Sequence, residues 1–165
     1  MKSRPALRRA RVALALAGAL TLTALPSARV DALVTGELVV ADQLVGIALY
    51  GFDPVSYFID GGARVGSESF ELSFDRLTWR FRSEANRAAF RAEPDAFVPR
   101  FGGYDPVALI RNAPVAGHPA IFAVHDGRLY LFHRPENRAA FVADPAGSVE
   151  AARTAWPTVR RSLVH

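Results

Sequence analysis

The sequence predicts an α+β fold: short helices packed on a small antiparallel sheet, built from two tandem units of the same kind. Three observations predict it. "GFDPVSYF" (Gly51 to Phe58) returns as "GYDPVALI" (Gly103 to Ile110), and "NRAAF" stands at both 86–90 and 137–141. Between these motifs lie stretches with a two-residue apolar period, which is the mark of a β-strand. A repeat of about 50 residues signals a duplicated supersecondary unit.

Sliding the chain by 51 residues aligns Gly66 with Gly117, Asp75 with Asp126, Trp79 with Tyr130, Phe81 with Phe132 and Pro94 with Pro145. Asp53 and Asp105 lie 52 apart, so one residue separates the two registers. The units cover about 50–100 and 102–156 within one domain, 33–165. Asp before Pro predicts a helix start, the carboxylate capping and the proline taking the first helical position, where its missing N–H costs nothing. Asp53-Pro54 and Asp105-Pro106 thus open short helices, the first ending at Gly61-Gly62.

In "SFELSFDRLTWRFR", Phe70, Leu72, Phe74, Leu77, Trp79 and Phe81 alternate with polar residues, predicting a hairpin with one wet face. In "AIFAVHDGRLYLFH" both alternating sets are largely apolar, and Asp126-Gly127 supplies a type I′ turn. That second hairpin is expected in the middle of the sheet, buried on both faces. Ser83 caps a following helix "EANRAAFRA", Pro135 opens its counterpart "ENRAAFVA", and further helical stretches are expected around 95–98 and 146–155, with Trp156 before Pro157 pinning the last one. Residues 33–50 are expected to add an edge strand.

The chain has 20 basic and 16 acidic residues, but Lys2, Arg4, Arg8, Arg9, Arg11 and Arg29 stand against Asp31 alone in residues 1–32. The remainder, 14 basic and 15 acidic, is close to neutral, which argues against nucleic acid as a partner. The basic start followed by "VALALAGALTLTAL" (Val12 to Leu25) has the form of a secretory signal peptide, with cleavage favoured after Ala32; an uncleaved anchor is the alternative and the one route to a membrane. The residues after Arg8-Arg9 do not fit twin-arginine export. The expected location is the periplasm or the secreted space. With no cysteine, disulfides, lipid attachment and thiolate metal sites are excluded.

Taken together, "GFDPVSYF", "WRFRSEANRAAF", "EPDAFVPRFGGY", "HDGRLYLF" and the closing "AWP" resemble the exported YHS-domain proteins, the YHS-domain (seleno)protein group, over roughly residues 45–160. The resemblance implies a small α+β fold related to the treble-clef-like metal-binding modules of some copper ATPases and toluene-type monooxygenases, and it implies no established reaction. It also implies what is missing. Where metal-binding YHS modules carry cysteine after Asp-Pro-Val, this chain has Ser56 and Ala108; where a later pair is expected it has Arg82 and Asn86, then His133 and Asn137. After Gly-Gly-Tyr, where the exported group tends to carry cysteine or selenocysteine, stands Asp105.

The remaining candidates are few. His118, His125 and His133 fall in the second unit, with His165 at the C-terminus. Counting from the Asp126-Gly127 turn pairs His125 with Arg128 and His133 with Ala120, so that His118 and His133 could approach each other while His125 could not join them. Zinc or copper would then be held by His118 and His133 with Asp105 or Asp126; otherwise Asp105 is a helix cap and the histidines end strands. Tyr50, Trp79, Tyr104 and Tyr130 would line an aromatic pocket or, at the strand positions Trp79 and Tyr130, pack the core. Arg80, Arg82, Arg87 and Arg91, interleaved with Glu84 and Glu93, read as a solvated face. No nucleophilic triad or phosphate loop is present. The expected function is therefore a non-catalytic exported binding or accessory module with an unknown protein partner or small ligand in the cell envelope and no cofactor; the alternative is a periplasmic copper or zinc protein.

Overall fold

The computed structural model describes residues 39–42 and 46–163, all within one compact unit. The expected signal segment, its cleavage after Ala32, and His165 lie outside the described residues. No helix among the described residues is long and apolar enough to cross a membrane.

The fold is α+β. Strands β1 (Ala41–Asp42) and β2 (Ile47–Ala48) lead into a 3-10 turn at Leu49–Gly51. Then come α1 (Ser56–Ile59), the hairpin β3 (Ser67–Phe74) and β4 (Leu77–Phe81), α2 (Glu84–Ala92) and α3 (Pro94–Phe97). The order recurs: a 3-10 turn at Arg100–Gly103, α4 (Pro106–Leu109), β5 (His118–His125), β6 (Arg128–Phe132), α5 (Pro135–Ala143) and α6 (Pro145–Ser162).

The two halves match in detail. Leu49 and Phe101 share a positive φ of 50° and 55°, and Gly51 and Gly103 both sit at 84°. Gly66 N donates to Gly51 O at 2.8 Å, as Gly117 N donates to Gly103 O at 2.9 Å. Both hairpins shift register at equivalent places, between Ser67 and Glu71 and between His118 and Phe122. The ring pairs Trp79–Phe90 and Tyr130–Phe141 both have centroids 4.9 Å apart.

The hairpins do not share one sheet, which corrects that part of the expectation. One sheet has the order β1-β2-β4-β3, with β2 parallel to β4 at Ile47 and Thr78; β5 and β6 form a separate two-stranded sheet. Burial on both faces, expected of the whole hairpin, holds for β6 alone, by packing rather than strand pairing; β5 leaves His118, Ala120 and Val124 exposed. Leu129 and Leu131 join the core of Leu49, Val55, Trp79, Phe81 and Phe90. Tyr130 and Phe132, on the other face, join Phe101, Phe141, Trp156 and Val159.

Ser83 caps α2 as expected, accepting from Asn86 N at 3.1 Å. Helix α6 runs past the expected end and carries Pro157 inside it. An internal proline costs about 3 kcal/mol. Continuing the helix buries Trp156 and Val159 on the stripe that Ala152 begins, worth roughly 1.5–3 kcal/mol each, so packing wins over the local penalty.

Candidate functional site

The repeated motifs build the same kind of clamp twice, once in each half. Asp53 and Asp105 are both fully buried, at 0% exposure. A buried carboxylate is tolerated where donors saturate it, and each half supplies the same donors. Asp53 Oδ1 accepts from Val55 N at 2.8 Å, and its Oδ2 accepts from Arg82 N at 2.8 Å and Asn86 Nδ2 at 2.6 Å. Asp105 Oδ1 accepts from Val107 N at 2.9 Å and Ala108 N at 3.1 Å. Its Oδ2 accepts from His133 N at 3.0 Å and Asn137 Nδ2 at 2.8 Å. Each aspartate therefore ties a helix start to the end of the hairpin and to the first turn of the next long helix. Asp105 caps α4 as expected; in the first half the regular helix begins later, at Ser56.

The second half adds two contacts, the Ala108 amide already given and one from a side chain. His133 Nδ1 lies 2.6 Å from Asp105 Oδ2. An ionised carboxylate only accepts, so Nδ1 carries the proton and donates, leaving Nε2 as the outward nitrogen of a ring that is 28% exposed. The equivalent residue of the first half, Arg82, instead reaches Asp60 at 2.9 Å. His133→Ala removes one donor from a carboxylate that keeps four others, so the expected loss is about 1 kcal/mol, read from urea unfolding.

Of the expected metal set, the structure brings Asp105 and His133 together and places His118 elsewhere. His118 is exposed on β5, its Nδ1 accepts from Ala120 N at 3.1 Å, and it faces Phe132 across the hairpin. The bulge between His118 and Phe122 takes up the extra residues and undoes the count that paired His133 with Ala120. Asp126 sits at the hairpin tip, 3.5 Å from His125. No group of three or more His, Asp or Glu suited to a metal ion is gathered among the described residues. Asp105 has both oxygens occupied and would orient a ligand rather than be one.

Trp79 and Tyr130 pack the cores, Tyr104 stacks on Trp156 with centroids 5.8 Å apart, and Tyr50 is half exposed. Arg80, Arg82 and Arg87 are paired with Glu71, Asp60 and Glu84, in keeping with a solvated face. Between the halves, Tyr57 donates to Pro119 O at 3.0 Å; burial, helped by the charge of Asp53, pushes its hydroxyl well above the ordinary tyrosine value, so it stays protonated as a donor.

The residues that sequence reasoning passed over are Asn86 and Asn137. Asparagine is a poor helix former, yet it recurs at the same helical position in an otherwise alanine-rich motif, and that mismatch is the signal that its side chain has work inside the protein. Compared with family models, with curated proteins and with solved structures, the chain matches none.

Proposed function

We propose that this chain is an exported, non-catalytic binding or accessory module of the YHS kind, two degenerate units fused into one domain, whose partner or ligand lies in the cell envelope. What carries the reading is how the positions of missing cysteines are used. Ser56 is buried, donating from Oγ to Asp53 O at 2.8 Å and accepting from Arg64 N at 3.2 Å. Asn86, Asn137 and Asp105 are the clamps themselves. Side chains that would hold a metal or a reactive sulfur in the resembled family here hold the fold.

A second reading, a copper or zinc protein, is favoured by one observation: a buried carboxylate behind an imidazole fixes its tautomer and presents Nε2, the arrangement found behind metal-ligating histidines. One imidazole is not a donor set for either metal, and the described residues do not assemble the rest, so His118 or a partner would have to contribute. The test is elemental analysis of the purified chain by inductively coupled plasma mass spectrometry, before and after loading with copper and zinc. The binding-module reading expects metal far below one per chain in both states. Metal near one per chain, lost in His133→Ala, would replace it with the second reading.

A further inference from the structure

We propose that the second half carries a binding site for a small organic oxyanion, in a cleft between the tip of the β5–β6 hairpin and the first turns of α6. The inference rests on the binding-module reading and names a ligand class for it. The cleft has a volume of about 430 Å³, large enough for a small metabolite. Its lining includes Arg100, His125, Arg128 and Tyr130 from the strand side and Val149 and Arg153 from α6.

The comparison between halves carries the argument. The residues equivalent to Arg100, His125, Arg128 and Tyr130 in the first half are Ala48, Phe74, Leu77 and Trp79. There they close the space: Ala48 and Trp79 are buried in the first core, and Phe74 packs on Phe90 with centroids 5.5 Å apart. Four positions that share one apolar role in the first half have thus become two guanidinium groups, an imidazole and a phenol facing an open cleft in the second.

The charges favour an anion. Glu150 pairs with Arg153 at 3.3 Å, and Asp126 stands at the exposed hairpin tip 3.5 Å from His125, so Arg100 and Arg128 set the sign of the cleft. Arg128 donates through Nη1 to Asp95 O at 2.6 Å, which anchors it without neutralising it. Arg100 has no carboxylate partner among the described residues and lies 6.0 Å from the Phe101 ring. The Tyr130 hydroxyl is pushed up by burial, pulled back by Arg100, Arg153 and Arg128 and raised again by Asp126, which places three cations and one acid within electrostatic reach of it. Guanidinium forks match the paired oxygens of carboxylate and phosphate, the phenol adds a donor, and Val149 with Ala146 offers an apolar wall for the rest of the ligand.

The test is a titration of the 15N-labelled full chain at low salt, where partly exposed charges are least screened, with inorganic phosphate in one arm and succinate in the other. Saturable amide shifts at Arg100, Tyr130 and Val149 with a Kd of about 1 mM or tighter are expected in at least one arm. The arm that binds more tightly identifies phosphate or carboxylate as the natural head group. R100Q with R128Q is expected to weaken binding by roughly tenfold or more, while R91Q, on an exposed arginine outside the cleft, leaves it unchanged. Equal weakening by R91Q, or no saturable shift in either arm, overturns the proposal. Saturable shifts elsewhere, such as around His133, overturn the cleft and leave the binding-module reading standing; that reading fails separately, on stoichiometric metal.

Discussion

Asp105→Ala is expected to lower the stability of the protein by about 3–5 kcal/mol, the cost of breaking a buried charged network from one side. Five donors converge on this carboxylate, from Val107, Ala108, Asn137 and both the backbone and the ring of His133. Alanine leaves buried N–H groups without acceptors and opens a void that is too enclosed for ready access of bulk water. A domain of this size has about 5–15 kcal/mol in total, so the variant will be near the edge of folding. Urea unfolding followed by the fluorescence of Trp79 and Trp156 measures the loss. Asp53→Ala, with three donors, should lose a comparable amount by the same mechanism. If the full variant cannot be purified, Asn137→Ala removes a single donor and gives a measurable fraction of the effect. A loss under about 1 kcal/mol for Asp105→Ala would show that the clamp is incidental.

Gly117→Ala is the second large effect, at about 3 kcal/mol. A Cβ there would lie 2.5 Å from Leu131 Cβ and 2.7 Å from Gly103 O. Both neighbours are held: Leu131 is in the buried face of β6, and Gly103 O is the acceptor of the Gly117 amide. No flexible side chain can move aside, so the backbone must separate and that hydrogen bond stretch. Gly66→Ala makes the same clash in the first half, 2.5 Å from the Arg80 carbonyl carbon, and should cost a similar amount. In contrast, Gly61→Ala and Gly62→Ala meet nothing within 4 Å, and Gly62, without a positive φ, is the control expected to be near neutral. Thermal unfolding of the four variants ranks them, and a Gly117→Ala melting temperature equal to that of Gly62→Ala would refute the close-approach account.

Local features of the fold were legible. The two hairpins followed from apolar alternation, the turn of the second from Asp126-Gly127, and the α2 boundary from Ser83. Features set by distant partners were not. The separate sheets depend on which strands find one another in space, with β2 reaching β4 and not β6, and β6 covered by packing instead of pairing. The extension of α6 through Pro157 depends on what Trp156 and Val159 find to pack against. At the candidate site, Asp105 was legible as a cap because capping is local. Its approach to His133 was legible only as shared metal ligation, and its bonds to the His133 amide and to Asn137 were not, since these lie about thirty residues away and a bulge of undeclared length intervenes.

The double burial of β6 makes the two repeats unequal and ordered in time. The residues equivalent to Leu129 and Leu131 in the first hairpin are Thr78 and Arg80, so a second copy of the first unit could not wall off the first core. During synthesis, the aromatic cluster around Trp79 and Phe90 emerges some forty to fifty residues before the leucines that cover it. Over that interval the nascent chain presents a sticky, half-made core, the kind of surface that holding chaperones recognise. The interval closes when Leu131 is free to dock.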